Sequence, residues 1–158
     1  MSVMMANPEY TIREIDWTTG RDALRSVRFR VFVEEQHVPE DEEWDAEDPC
    51  SRHVIAAAAD GTPIGTGRLL RDGHIGRMAV LREWRGRGVG RALMAHLLQV
   101  ARDVRHEVVK LHAQTHALRF YEKLGFVAEG EEFMEAGIPH FLMTRKLPAD
   151  EPARSASP

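Results

Sequence analysis

Residues 78–94, MAVLREWRGRGVGRALM, set four arginines and three alternating glycines between an apolar stretch and an amphipathic one. That order builds an anion cradle. Gly86, Gly88 and Gly90 let backbone N–H groups turn inward, and a helix opening behind them aims its positive dipole end at the same spot. Arg82, Arg85, Arg87 and Arg91 add side-chain charge, with Glu83 the only acid among them. A diphosphate is the ligand such a loop suits best.

Two other glycine-loop chemistries fail on spacing. A P-loop needs GxxxxGK followed by Ser or Thr, and 82–91 holds no lysine. A dinucleotide fingerprint needs GxGxxG inside a βαβ unit, whereas Arg85, Gly88 and Gly90 read RxxGxG. A purely structural glycine turn stays open as an alternative.

The elements around the loop define its setting. Glu9–Ile15 alternates as a first strand, and Thr18 or Thr19 can cap a helix running to about Glu35. Pro39 and the acids around it make 37–51 a loop, with a short helical turn as the alternative within it. Val54–Ala59, Ile64–Leu70 and His74–Val80 read as strands joined by turns at Asp60-Gly61 and Asp72-Gly73, an antiparallel meander. A helix follows over Val89–Arg105, burying Leu93, Met94, Leu97, Leu98, Ala101 and Val104. Val108–Ala113 is a strand, His116–Leu124 a short helix, and Phe126–Glu132 with His140–Leu147 a closing antiparallel pair. The expected fold is α/β, a mixed sheet with helices on both faces. Residues 1–147 form one domain, and Pro148–Pro158 lacks apolar periodicity and reads as a disordered tail.

Bulk properties narrow the function classes. The chain has 158 residues, 43% hydrophobic and 29% charged, with a net charge of −4. A general nucleic-acid binder is normally basic, so no nucleic-acid partner is expected. The longest apolar run, Val54–Ala59, is too short for a bilayer, and the N-terminus lacks the regions of a signal peptide. The expectation is a cytoplasmic protein with no membrane partner. One cysteine, Cys50, excludes an internal disulfide, and the eight histidines lack HExxH spacing, so no metal is assigned.

The loop resembles that of the GNAT-type N-acetyltransferase superfamily, whose pyrophosphate motif is Gln/Arg-x-x-Gly-x-Gly/Ala. Met78-Ala79-Val80 is similar to the end of that family's central strand, and Phe120-Tyr121-Glu122-Lys123-Leu124-Gly125-Phe126 to its C-terminal helix and turn. Val31-Phe32-Val33-Glu34-Glu35-Gln36 and Gly137-Ile138-Pro139-His140 resemble the small bacterial ElaA-like branch. The resemblance covers about residues 10–147. It implies the acyl-CoA N-acyltransferase fold: a mostly antiparallel sheet whose central parallel strands splay apart to admit acetyl-CoA.

By that resemblance, backbone groups of Met78, Ala79 and Val80 pair with pantetheine as an added strand. Amides of Arg85, Gly86, Arg87, Gly88, Val89, Gly90 and Arg91 hold the pyrophosphate. Gln114 stands where the family often has Asn, seven residues before the tyrosine, and offers the same hydrogen-bonding groups on a longer stem. Tyr121, protonated at neutral pH, is the acid that serves the departing thiolate, against its alternative as a packing aromatic.

The base has several candidates. Glu35, Glu43 and Asp45 lie in the segment that would roof the substrate cleft, each alternatively a solvated acid. His53, His112 and His140 sit at or beside strands and are alternatively structural, His112 with a route to the cleft. Cys50 has no activating motif, which favours direct transfer in a ternary complex.

The acceptor is expected to be a primary amine of a small molecule or peptide. Nine acids within 34–48 form a rim that would attract a polyamine, a peptide amino terminus or an aminoglycoside-like cation. Arg28, Arg30 and Arg68 point instead to an amino sugar phosphate or amino acid. A homodimer is compatible with the resemblance, though no stripe specifies one. The competing reading is a non-catalytic acyl-CoA-binding or regulatory module, which would need neither a base nor the Tyr121 hydroxyl.

Overall fold

The computed structural model describes residues 9–148, which open on strand β1 (Tyr10–Ile15). β1 pairs antiparallel with β2 (Arg52–Ala58), β2 with β3 (Pro63–Leu69), and β3 with β4 (His74–Val80). The two tight turns form where expected. Asp60 and Asp72 each accept a backbone N–H two residues on, and Gly61 and Gly73 take positive φ.

Helix α1 (Trp17–Arg28) is capped by Asp16, whose carboxylate accepts the Thr18 N–H at 2.9 Å, and not by a threonine. The helix does not run unbroken to Glu35. Phe29–Glu35 widens into a π-helical turn, and α2 (Glu40–Glu43) plus a 3₁₀ turn at Asp48–Cys50 occupy the expected loop. Helix α3 (Val89–Asp103) stops two residues short of the expected end, and β5 (Val108–Gln114) follows. A 3₁₀ turn (Thr115–Ala117) leads into α4 (Leu118–Glu122).

The last pair is β6 (Val127–Glu135) and β7 (Ile138–Lys146), joined at Ala136 and Gly137, both at positive φ. Asp-Gly or Asn-Gly would have announced this turn. Ala136-Gly137 did not, so β6 ends three residues later than expected, at Glu135. β7 inserts between β5 and β6, giving the seven-stranded order β1-β2-β3-β4-β5-β7-β6. Only β4 and β5 run parallel. Charges at Glu129, Glu131, Glu132 and Glu135 stand along edge strand β6 and guard it against pairing with another chain.

Helices cover both faces. Gly65 and Gly67 face α3, where an added Cβ would meet Leu93, Val89 and Leu97, while Arg28 of α1 and Arg68 of β3 meet on the opposite side through Asp48. Leu24, Ile64, Leu93, Met94 and Leu97 are wholly buried between these layers. Each such side chain is worth about 1.5–3 kcal/mol relative to exposure. Phe120 of α4 lies against Gly90, so α4 shares the α3 side. Among the described residues no helix is long and apolar enough to cross a membrane. The expected tail falls, but for Pro148, outside the described residues.

Candidate active site

β4 and β5 pair only at His74–Lys110 and Ile75–Leu111, then diverge. The cause lies in β4. Its register against β3 jumps between Ala79 and Gly76, so Arg77 and Met78 together oppose Gly67, which is a bulge. Arg77 takes φ +51, and its carbonyl accepts the Thr66 hydroxyl at 2.9 Å. A Cβ at 67 would meet Leu97 Cδ1 at 2.7 Å and Met78 Sδ at 2.9 Å, so glycine there leaves room for both side chains beside the bulge.

Past the bulge, the Leu81 N–H bonds Ile64 on the β3 side. Alternation along an antiparallel strand then turns the Val80 N–H toward the gap that β5 has left. The splayed strands expected from sequence are therefore present, with Met78–Val80 along one wall.

The glycine loop sits at the end of that wall. Gly86 and Gly88 adopt φ +77 and +86, and Gly88 is the N-cap of α3. A non-glycine residue in that region is strained by roughly 1–2 kcal/mol. The first backbone bond of α3 runs from the Ala92 N–H to the Gly88 carbonyl at 3.0 Å, so Val89, Gly90 and Arg91 have no helix carbonyl for their amides. A Cβ placed on Gly86 would meet nothing within 4 Å, which leaves the mouth of the cradle open. These residues fit a diphosphate held by main-chain donors.

The arginine side chains are largely committed elsewhere. Arg85 binds Glu35 through Nη1 and Nη2 at 2.7 Å each, and its Nε donates to the Val80 carbonyl at 2.9 Å. Arg87 lies over Trp84, 4.4 Å from the ring centroid, with Glu9 at 3.8 Å. The Arg85 hydrogen bonds hold the Glu35 carboxyl below its ordinary range, with Arg82 assisting. A carboxylate so held is a weak base.

Tyr121 of α4 packs edge-on against Phe120 and Phe126, and burial pushes its phenol up to about 12. Gln114, at the end of β5, donates to Gln36 at 3.0 Å and lies 2.7 Å from His116 Nε2. Gln36 was missed in the sequence, because nothing in its neighbours marks a residue that reaches across the sheet.

The acidic rim divides: Glu34, Glu40, Asp41, Glu42 and Glu47 are exposed, as solvated acids would be, while Glu43, Asp45 and Asp48 are tied to arginines. Glu43 and Asp48 are 3% and 1% exposed, and Arg28 is 1% exposed beside them. Arg28 binds Glu43 at 2.7 Å and Asp48 at 3.0 Å; Arg68 binds Asp45 and Asp48; Arg77 meets Glu43 and Asp45. Three cations thus match three carboxylates in one cluster joining α1, the 40–50 segment, β3 and the β4 bulge. Arg25 and Arg28 also lie between Trp17 and Trp44.

Arg28 and Arg68 are therefore internal ion-pair partners, which removes them as ligands for an anionic acceptor. Arg30 is exposed and meets Glu83 at 3.4 Å. Glu43 is raised by burial, opposed by Arg77 and Arg28, and its Oε2 is pinned by both.

The remaining candidates divide. His53 is buried, with its Nε2 donating to the Asp48 carbonyl and its ring stacked on Trp17, so it is structural. Cys50 is exposed and unpaired as a thiol. His112 lies on the sheet face opposite α3, 2.9 Å from Glu135. His140 pairs with Gln114 across β5 and β7. Among the described residues no three His, Cys, Asp or Glu side chains converge as metal ligands.

A splayed parallel pair, a bulged strand and a glycine-capped helix in this order define an acyltransferase of the GNAT class. The chain belongs to that family: the model of the acetyltransferase (GNAT) domain matches residues 15–147. Within it, the chain falls in the ElaA-like branch. It is 33% identical to ElaA of Escherichia coli over 135 residues, covering 79% of this chain and 86% of that protein. The uncharacterized protein YyaT of Bacillus subtilis is 37% identical over 137 residues, 82% of this chain and 93% of its own length.

The solved structures agree. The crystal structure of Escherichia coli ElaA superimposes with a TM-score of 0.77 at 30% identity, over 86% of this chain and 99% of that one. An acyl-CoA N-acyltransferase from Pseudomonas aeruginosa gives 0.75 at 34% identity, over 87% and 98%. Acyl transfer from an acyl-CoA is the chemistry of this family and fold.

Proposed function

We propose that the protein is an N-acetyltransferase that moves an acetyl group from acetyl-CoA to the primary amine of a small molecule or peptide, by direct attack in a ternary complex. The observation that carries this reading is the continuity of two main-chain surfaces. The unpaired edge of β4 at Met78–Val80 leads into the amides of Arg85–Arg91 at the start of α3.

The pyrophosphate sits on those amides and pantetheine lies along β4. The Val80 N–H, turned into the gap, polarises the thioester carbonyl as an oxyanion donor does. Holding donor and acceptor in one cleft supplies a further several kcal/mol, on the order seen for intramolecular reactions. Tyr121 donates its proton to the departing sulfur. Its raised pKa keeps the phenol intact throughout the physiological range. Cys50 stands on the 3₁₀ turn at Asp48–Cys50, exposed and without an activating partner, and carries no acyl intermediate.

The test is calorimetry with acetyl-CoA followed by coenzyme A release on a panel of amines. Binding with turnover of at least one amine is the expected result. Binding without any turnover would favour an acyl-CoA-binding module. No binding by folded protein would end the donor assignment.

A further inference from the structure

α1 packs chiefly on β2, β3 and β4, and over β5 and β7 its sheet face keeps His74 and His112 partly exposed, with Gln36 reaching Gln114 at the end of β5. Three imidazoles stand on this partly open face. His74 and His112 meet edge to face with centroids 5.5 Å apart, His112 meets Phe133 at 5.1 Å, and Phe133 stacks on His140 at 5.9 Å. The row runs from the root of the splay to the end of β5, where His140 pairs with Gln114.

All three rings have the same nitrogen engaged. His140 Nδ1 lies 2.7 Å from the Ile138 carbonyl, His112 Nδ1 2.9 Å from a Glu135 oxygen, and His74 Nδ1 3.0 Å from Asp72. A carbonyl or carboxylate oxygen only accepts, so each Nδ1 carries the hydrogen and each neutral ring presents a bare Nε2. His112 and His74 are partly exposed, but His140 is 8% exposed, and its bond to the Ile138 carbonyl uses Nδ1 and leaves Nε2 open. A bare acceptor nitrogen on a largely buried ring beside the end of β5 is suited to taking a proton.

The charges on this face include Asp72, Glu129 and Glu135 against Lys110 and Lys146, with His112 on β5 and His116 on the turn after it. Three carboxylates against two lysines leave the balance acidic. Glu43, Asp45 and Asp48 cannot supply such a field, being matched by arginines.

We propose that this open face is the acceptor subsite, that His140 Nε2 is the proton acceptor, and that the acceptor is an amine carrying a second cation, which Glu135 holds. The proposal rests on the acetyl-CoA reading above. An ammonium loses two protons in becoming an amide. The first passes to His140 Nε2 and on to water, freeing the nitrogen lone pair. That nitrogen attacks the thioester carbon as the C–S bond breaks, and sulfur takes the Tyr121 proton. The second proton, shed as the C–N bond forms, restores the phenol through water.

The experiment compares 1,5-diaminopentane with n-pentylamine as acceptors, using wild type, His140→Asn and Glu135→Gln. Asn retains a donor where Nδ1 stands but has no nitrogen at the Nε2 position. Expected are a more than 100-fold lower kcat for His140→Asn, loss of the acid limb of kcat against pH, and unchanged acetyl-CoA affinity by calorimetry. Glu135→Gln is expected to raise KM about tenfold for the diamine and leave KM for pentylamine unmoved. Retention of the acid limb in His140→Asn, equal KM for the two amines, or turnover of neither amine by acetyl-CoA-loaded protein would each overturn the proposal. Failure to bind acetyl-CoA at all would instead strike the donor reading.

Discussion

Arg85 and Glu35 form a two-bond ion pair, 2.7 Å at each contact, that ties the π-helical turn after α1 to the entrance of the glycine loop. Through Nε, the same guanidinium also holds the Val80 carbonyl. The pair thus sets the position of the β4 end relative to the cradle. It is partly exposed, so its contribution to stability is of the order of 1 kcal/mol or less. For Glu35→Gln we expect coenzyme A release to fall less than tenfold. A loss of a hundredfold or more in kcat would return Glu35 to the role of base.

Gly88 at φ +86 is the residue most sensitive to a methyl group in the donor site. Gly88→Ala should destabilise the fold by about 1–2 kcal/mol in urea denaturation, the left-handed penalty. It should also weaken acetyl-CoA at least tenfold by calorimetry, because the cap and the cradle share one backbone. Unchanged affinity would show that the loop amides do not hold the pyrophosphate.

Tyr121→Phe preserves the packing against Phe120 and Phe126 and removes only the proton. We expect kcat to drop about 100-fold with the acetyl-CoA dissociation constant unchanged. Because burial lifts the phenol to about 12, its ionisation contributes no basic limb below about pH 11 in the wild type. Full turnover by the Phe variant would remove the proposed acid.

The buried cluster predicts both a large stability effect and its pH dependence. Arg28→Met strands Glu43 and Asp48 and should lower unfolding free energy by about 3–5 kcal/mol, read from urea midpoints. Burial would raise Asp48 and Asp45, but Arg28 and Arg68 outweigh it at Asp48, as Arg68 and Arg77 do at Asp45, and both carboxyls end below their ordinary value. Their stabilisation is present above the unfolded pKa of about 3.9 and is lost as pH falls through the lower folded values. Glu43, shifted upward, acts in the opposite sense. Stability should therefore decline steeply below about pH 4, and Asp48→Asn should flatten that decline. An equal slope in the variant would contradict the assignment.

Much of this architecture was readable from residue order. Asp-Gly pairs announced two turns, and the apolar stripe of α3 and the RxxGxG loop located the donor site. What was not readable depended on contacts distant along the chain. Among the nine acids within 34–48, Glu43, Asp45 and Asp48 could not be told from their solvated neighbours, because their arginine partners come from α1, β3 and β4. Arg77 carried no signal of a bulge, since arginine is a poor indicator of positive φ, and its conformation is imposed by Glu43, Asp45 and Thr66. The histidine row could not be seen either. Its members lie on three strands and share a face only through register.

The left-handed Arg77 has a consequence for how this scaffold can diversify. Its backbone opens the sheet while its side chain anchors the 40–50 segment, so alterations in that segment propagate to the donor wall. The β6–β7 hairpin bears no such obligation. On the acceptor subsite proposed above, acceptor preference is expected to follow changes in the hairpin more than changes in the 40–50 segment.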